Sequence, residues 1–199
     1  KRAQMINIIE QNIINHLSSS SKVLMDTSQD CSKSILKAAY KISQSIQNSG
    51  KLLLCGNGGS SSDAQHIESE FLATLNPKNY RPALPAISLC NSTAFITAYS
   101  NDFNYNDIFS RQIEGLGIQG DILLAISTSG KSKNIISALK AAKKKKMFSI
   151  FLTSQKKPSS FISYDLGIIV PSKDTQHIQE AHIAIGHALT RQIEVFLGY

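Results

Sequence analysis

No run of apolar residues in the 199-residue chain approaches the roughly 18 needed to cross a bilayer, so a membrane-spanning protein is not expected. The amino-terminal KRAQMINIIEQNII carries Glu10 and other polar residues where a secretion signal needs an unbroken apolar centre. A cytoplasmic protein is the expectation. Cysteine is scarce: Cys31, Cys55 and Cys90 are odd in number, far apart and without a Cys-x-x-Cys pair. That excludes a disulfide framework and points to reduced, mostly buried thiols. With 42% apolar residues and only five prolines, the chain has material for one ordinary core, so a single domain over residues 1–199 is expected and a disordered tail is not. Aromatic residues are missing where the positive charge gathers. The net charge of +7 is concentrated in LKAAKKKK (139–146) and QKKP (155–158), with nothing interleaved on which a base could stack, which argues against nucleic acid. Lys143 to Lys146 read as a solvated helix end, where positive charge meets the negative pole of the helix dipole. The field they create favours an anionic small substrate.

What is present alternates between two periods. Residues 1–48 hold no strand-like run; Ile9, Ile13 and Leu17, then Ile35, Ala39, Tyr40, Ile42 and Ile46, fall at helical spacing. They predict two amphipathic helices separated near SSSSKV (18–23) and paired as an α-hairpin. Over residues 49–199 five apolar runs follow, KLLLC (51–55), PAISL (85–89), DILLAI (121–126), MFSIFL (147–152) and LGIIV (166–170), with helix-forming segments between them. Such alternation predicts an α/β fold, a five-stranded parallel sheet with helices on both faces, preceded by the hairpin. Ligands of open parallel sheets bind beyond the carboxyl ends of the strands, which directs attention to the loops after Cys55, Leu89, Ile126 and Leu152.

Two nucleotide motifs fail on inspection. Gly56-Asn57-Gly58-Gly59-Ser60-Ser61 has serine where a dinucleotide fingerprint needs its third glycine, and no acidic residue ends the second strand. ISTSGKS (126–132) has Ala125 where a Walker loop needs glycine. What remains after DILLAI is a strand running into Ser127, Thr128, Ser129, Gly130, Lys131 and Ser132 and then a helix. Hydroxyls and backbone N–H groups at a helix start suit a phosphate dianion, although an ordinary serine-rich cap has the same composition. The first loop, from Asn57, offers glycine amides and a side-chain amide suited to sugar hydroxyls, so the two loops together suit a phosphorylated sugar. His66 and Glu70, four apart on the next helix, share a face and could share a metal or a proton path. The last helix adds Gln179, Glu180, His182 and His187. Gln179 and His187 are about 12 Å apart along the axis, so spacing alone does not join them to one ion, and His182 could simply be packed in the core.

Taken together, CGNGGSSSDAQH, Glu70, NDFNYNDIFSRQ (101–112), ISTSGKS and IQEAHIAIGH (178–187) resemble the phosphoheptose isomerases, a branch of the sugar isomerase (SIS) domain superfamily with a flavodoxin-like sheet. The resemblance runs over nearly the whole chain. It implies one zinc ion per subunit on His66, Glu70, Gln179 and His187. It implies substrate contacts on Asn57, Gly58, Gly59, Asn101, Asp102, Ser127, Thr128, Ser129 and Ser132, with Glu70 and Gln179 also touching the sugar. It further implies a homotetramer with sites shared between subunits. Two departures stand out: Ala73-Thr74 where the family commonly has Gly-Arg, and His177 where it commonly has Arg.

The implied reaction converts sedoheptulose 7-phosphate, a phosphorylated seven-carbon sugar, into D-glycero-D-manno-heptose 7-phosphate for lipopolysaccharide heptose. Such an isomerisation needs a base beside the carbonyl and an acid for its oxygen. Glu70 is the expected base and His187 the acid, with Asp63, one turn before His66, able to share the proton work. The rival expectation is a non-catalytic SIS protein that binds a phosphosugar and associates with a replication initiator or another regulator. The complete set of ligand types favours the enzyme.

Overall fold

Residues 2–155 and 162–199 of the computed structural model are described, with side chains from residue 4. The chain starts with one helix, α1 (Arg2–Gln47). Both amphipathic segments expected at the amino terminus are helical, but they run on end to end instead of folding back. SSSSKV contains no glycine or proline, and the weak helix propensity of serine costs too little to break a helix whose flanks favour it. The resulting rod is about 69 Å long. Its carboxyl half is held against the body through Cys31, Ala38, Ala39 and Ile42, all buried. Along the amino half Met5, Ile6, Ile9, Ile13, Leu17 and Met25 are exposed.

Five strands follow, β1 (Leu52–Cys55), β2 (Ala86–Ser88), β3 (Ile122–Ile126), β4 (Phe148–Ser154) and β5 (Leu166–Val170). Each lies on one of the expected apolar runs. They form one parallel sheet in the order β2-β1-β3-β4-β5. Leu52, Leu53, Leu54 and Cys55 and all of Ile122–Ile126 are buried, the continuous apolar pattern of strands covered on both faces. The helices between them are α2 (Gly59–Leu72), α3 (Thr93–Asp102), α4 (Ile108–Leu116) after a short 3-10 turn, α5 (Lys133–Lys144) and α6 (Thr175–Leu197). α1 and α2 each pack against α6, and α4 packs with α5. The three cysteines are buried and unpaired, as expected. Lys143 and Lys144 do form the last turn of α5; Lys156 and Lys157 lie outside the described residues.

The strand order fixes where a ligand can sit. From β1 the chain crosses to β2 on one side, and it returns to place β3 on the other. The loops leaving β1 and β3 therefore diverge over a crevice at the switch point. The register pairs Cys55 with Ala125, so Gly56-Asn57 and Ile126-Ser127 leave the sheet side by side.

Candidate active site

The loop after β1 turns sharply into α2. Gly58, the residue before the helix, has φ +54°, a left-handed conformation that glycine adopts without strain. At Gly59 the backbone comes up against the side-chain amide of Gln179, brought in by α6, and a Cβ there would push that amide aside. Asn57 is locked in place. It exchanges amide hydrogen bonds with Asn134 (2.9 and 2.8 Å), and the Tyr105 hydroxyl donates to its Oδ1 at 2.8 Å. Across the crevice, the loop after β3 is held by Ser127, whose N–H reaches Leu152 O and whose Oγ accepts from Gly130 N–H. Ser132 caps α5, but its side chain makes no bond to the amides of the first turn. It lies 3.3 Å from Ser127 Oγ instead. Asn57, Ser60, Ile126, Ser127, Thr128 and Ser132 together line a small cavity of about 60 Å³. The two loops thus build one polar pocket, with amides and hydroxyls but no carboxylate to repel an anion.

About two turns along α2, the histidine and carboxylate constellation is assembled. His66 Nε2 lies 3.1 Å from Glu70 Oε1 and 3.1 Å from His187 Nε2, and His187 Nε2 lies 3.3 Å from the same carboxylate oxygen. Ligand atoms around a tetrahedral ion with bonds of about 2.0–2.1 Å are separated by about 3.3 Å, so the three donors already have the spacing that a divalent ion requires. Glu70 is buried while both imidazoles are about half exposed, which leaves the group open on one side. The Thr190 hydroxyl stands 3.3 Å from Glu70 Oε2, and Arg81 Nη2 donates to the Glu70 carbonyl at 2.8 Å. Arg81 is itself buried against Glu194 at 2.7 Å. The Gln179 side-chain amide lies against Gly59.

Asp63 lines a depression of about 330 Å³ with Gln176, Gln179, Glu180 and Ile183. One of its oxygens is buried with no partner among the described residues, and burial, partly offset by the His66 charge, pushes its pKa up to about 6. A carboxyl so placed exchanges protons near neutrality. His182, by contrast, is a core residue: burial lowers its pKa to about 4, and its Nε2 faces Thr153 O.

Ser129 sits in the same loop as the cavity residues, where its Oγ accepts from Lys131 N–H. Asn101 and Asp102 end α3 on the surface and bond to each other at 2.9 Å; no hydrogen bond joins them to the other candidate residues among those described. The sequence reading missed Ser60, Asn134, Tyr105, Thr190 and Arg81. Tyr105 and Asn134 stand in or directly beside the segments NDFNYNDIFSRQ and ISTSGKS, so a reading of those segments for polar residues facing the first loop could have found them.

The SIS domain family matches residues 15–154. A phosphoheptose isomerase of Thermodesulfovibrio yellowstonii is 45% identical over 163 residues, covering 82% of this chain and 80% of its own length. One from Aneurinibacillus thermoaerophilus is 39% identical over 190 residues, with 96% and 94% covered. In three dimensions, a phosphoheptose isomerase from Neisseria gonorrhoeae superposes with a TM-score of 0.87 at 34% identity, over 94% of this chain and 99% of the other. With identity of this order carried over nearly the full length, and with the fold and the polar crevice in place, the chain belongs to the SIS domain family and, within it, to the phosphoheptose isomerases.

Proposed function

We propose that this chain interconverts sedoheptulose 7-phosphate and D-glycero-D-manno-heptose 7-phosphate, supplying a heptose precursor of lipopolysaccharide in the cytoplasm. The observation that carries the proposal is the convergence of His66, Glu70 and His187 within 3.3 Å of one another, on α6 and on α2, whose first turn lines the serine cavity. The phosphate is assigned to Ser127, Thr128, Ser129, Ser132 and the first-turn amides of α5. Asn57, Gly58 and Gly59 take sugar hydroxyls. Asn101 and Asp102 are exposed on α3, and in a homotetramer a neighbouring copy would bring such residues to the site. The exposed apolar stripe along the amino half of α1 supports that assembly, because a stripe of this length on a monomer is a docking surface.

His66, Glu70 and His187, joined by Gln179, would hold one zinc ion, and bound zinc would supply Lewis acidity toward the carbonyl and hydroxyl oxygens of the sugar. Glu70 takes the proton beside the carbonyl, aided by the Thr190 hydroxyl and by the Arg81 bond that fixes its backbone. His187 serves the oxygen. Asp63, with its pKa near 6, is suited to relay the proton.

The test follows substrate C1/C2 protons exchanging with solvent deuterium. The intact chain should exchange and turn over sedoheptulose 7-phosphate, and a chelator should suppress both. Glu70→Gln keeps the size of the side chain and removes its proton affinity, so exchange should fall by roughly 10²–10⁴-fold while calorimetric binding of the phosphosugar survives. An intact protein that binds the sugar without exchange, with zinc supplied, would instead be a phosphosugar-binding relative.

A further inference from the structure

A second group of metal-binding side chains lies outside the trio. His16 comes from the exposed half of α1, His177 and Glu180 from the first turns of α6. His16 Nε2 is 3.1 Å from Glu180 Oε1, and His177 Nδ1 is 3.0 Å from Glu180 Oε2. The two rings face each other with centroids 4.7 Å apart, and one ligand atom from each of the three residues can be chosen so that all lie within 4.8 Å. The Ser20 hydroxyl, one turn beyond His16, donates to Glu180 Oε2 at 2.6 Å.

We infer that His16, His177 and Glu180 form a second divalent-metal site, clasping α1 to α6 and taking a transition-metal ion such as zinc. Three features favour an ion over a plain hydrogen-bonded cluster. The donors are two imidazoles and a carboxylate, a set that prefers zinc-like ions to magnesium or calcium. Each imidazole already contacts the Glu180 carboxylate, His16 at Oε1 (3.1 Å) and His177 at Oε2 (3.0 Å), and one ligand atom from each residue lies within 4.8 Å of the others, so side-chain rotation alone brings them to the separation of about 3.3 Å around a tetrahedral ion. Ser20 supplies the outer hydrogen bond that orients a ligating carboxylate. His16 and Glu180 are each about 39% exposed, so an ion can reach them, and three protein ligands leave a fourth position for water or substrate. Glu180 also lines the depression shared by Asp63 and Gln179, which puts the ion at the rim of the proposed substrate pocket.

The experiment uses the full chain, stripped with chelator and titrated with cobalt(II) or zinc, the bound metal being counted per chain. The His66→Ala protein isolates the new site and should still bind one ion, with visible cobalt absorption and a rise in unfolding temperature on zinc. Adding His16→Ala or His177→Ala to it should abolish uptake, spectrum and thermal shift together, with helix content by circular dichroism showing that the fold persists. The conservative His16→Gln should behave like His16→Ala. If His66→Ala protein binds no metal, or binds one ion unchanged after His16 and His177 are both replaced, the clasp does not exist. Neither result bears on the isomerase reading, which is judged by proton exchange at the first site.

Discussion

Replacing Arg81 by Met would test how the catalytic carboxylate is supported. Arg81 is 2% exposed and its guanidinium makes four bonds: to Glu194 Oε1 (2.7 Å), and to the carbonyls of Glu70 (2.8 Å), Phe71 (2.9 Å) and Pro82 (3.0 Å). Methionine matches the apolar stem but leaves the Glu194 carboxylate buried without a counter-charge. Removing one member of a buried pair costs about 3–5 kcal/mol. For a chain of this size that lowers the unfolding midpoint by roughly 6–20 °C. The double change Arg81→Met/Glu194→Leu removes the stranded charge, yet the Glu70 and Pro82 carbonyls still lose a donor; Phe71 O keeps its bond from Leu84 N–H. At about 1 kcal/mol for each lost bond, the double variant should sit about 2 kcal/mol below the parent, clearly above the sum of the single losses. Urea unfolding followed by circular dichroism, at one fixed protein concentration, reads all four stabilities. A single variant within 1 kcal/mol of the parent, or a double variant equal to the sum of the singles, would refute the argument.

Two further tests concern the site. Asp63 has its pKa raised on folding, so its folded form favours the protonated state: relative to Asp63→Asn, its cost is absent below pH 4, grows up to about pH 6 and stays constant above. Asp63→Asn should therefore be more stable than the parent at pH 7.5 and equal to it below pH 4, and its kcat/KM profile should lose the limb near pH 6; equal stability at both pH values would put Asp63 outside a desolvated site. Ser132→Ala removes a hydroxyl from the serine cavity, so KM should rise several-fold with kcat nearly unchanged, and an unchanged KM would place the phosphate elsewhere.

All five strands were legible because a parallel sheet buried on both faces leaves unbroken apolar runs such as Leu52–Cys55 and Ile122–Ile126. α3 was not. Thr93–Asp102 buries no residue and is rich in β-branched and aromatic side chains, so it carries no apolar stripe; its one local signal is Ser92, whose hydroxyl accepts from Phe95 N–H. The absence of a hairpin was hard to read for the converse reason, since four serines look like a boundary although only glycine or proline enforces one. At the site, His66 and Glu70 were legible because four residues make one helical turn. His187, Arg81 with Glu194, and Asn57 with Asn134 meet across separations that no local periodicity encodes. Asp63 was named from its place on α2, but its unpartnered, desolvated oxygen depends on how α6 closes over it.

The uninterrupted α1 has a consequence for biosynthesis. Its main partners in the body are α6 and β5, the last elements made, and roughly 130 residues separate the end of α1 from the start of α6. At a synthesis rate of roughly 5–20 residues per second, the ribosome needs roughly 6–26 s to cover that stretch. Until then the buried face of α1, with Ala38, Ala39 and Ile42, lacks most of its docking surface, and the outward row of isoleucines stays bare for longer still. A nascent chain of this kind should engage hydrophobic-binding chaperones early and release them only after α6 has emerged, and truncation before Thr175 should leave it chaperone-bound and insoluble.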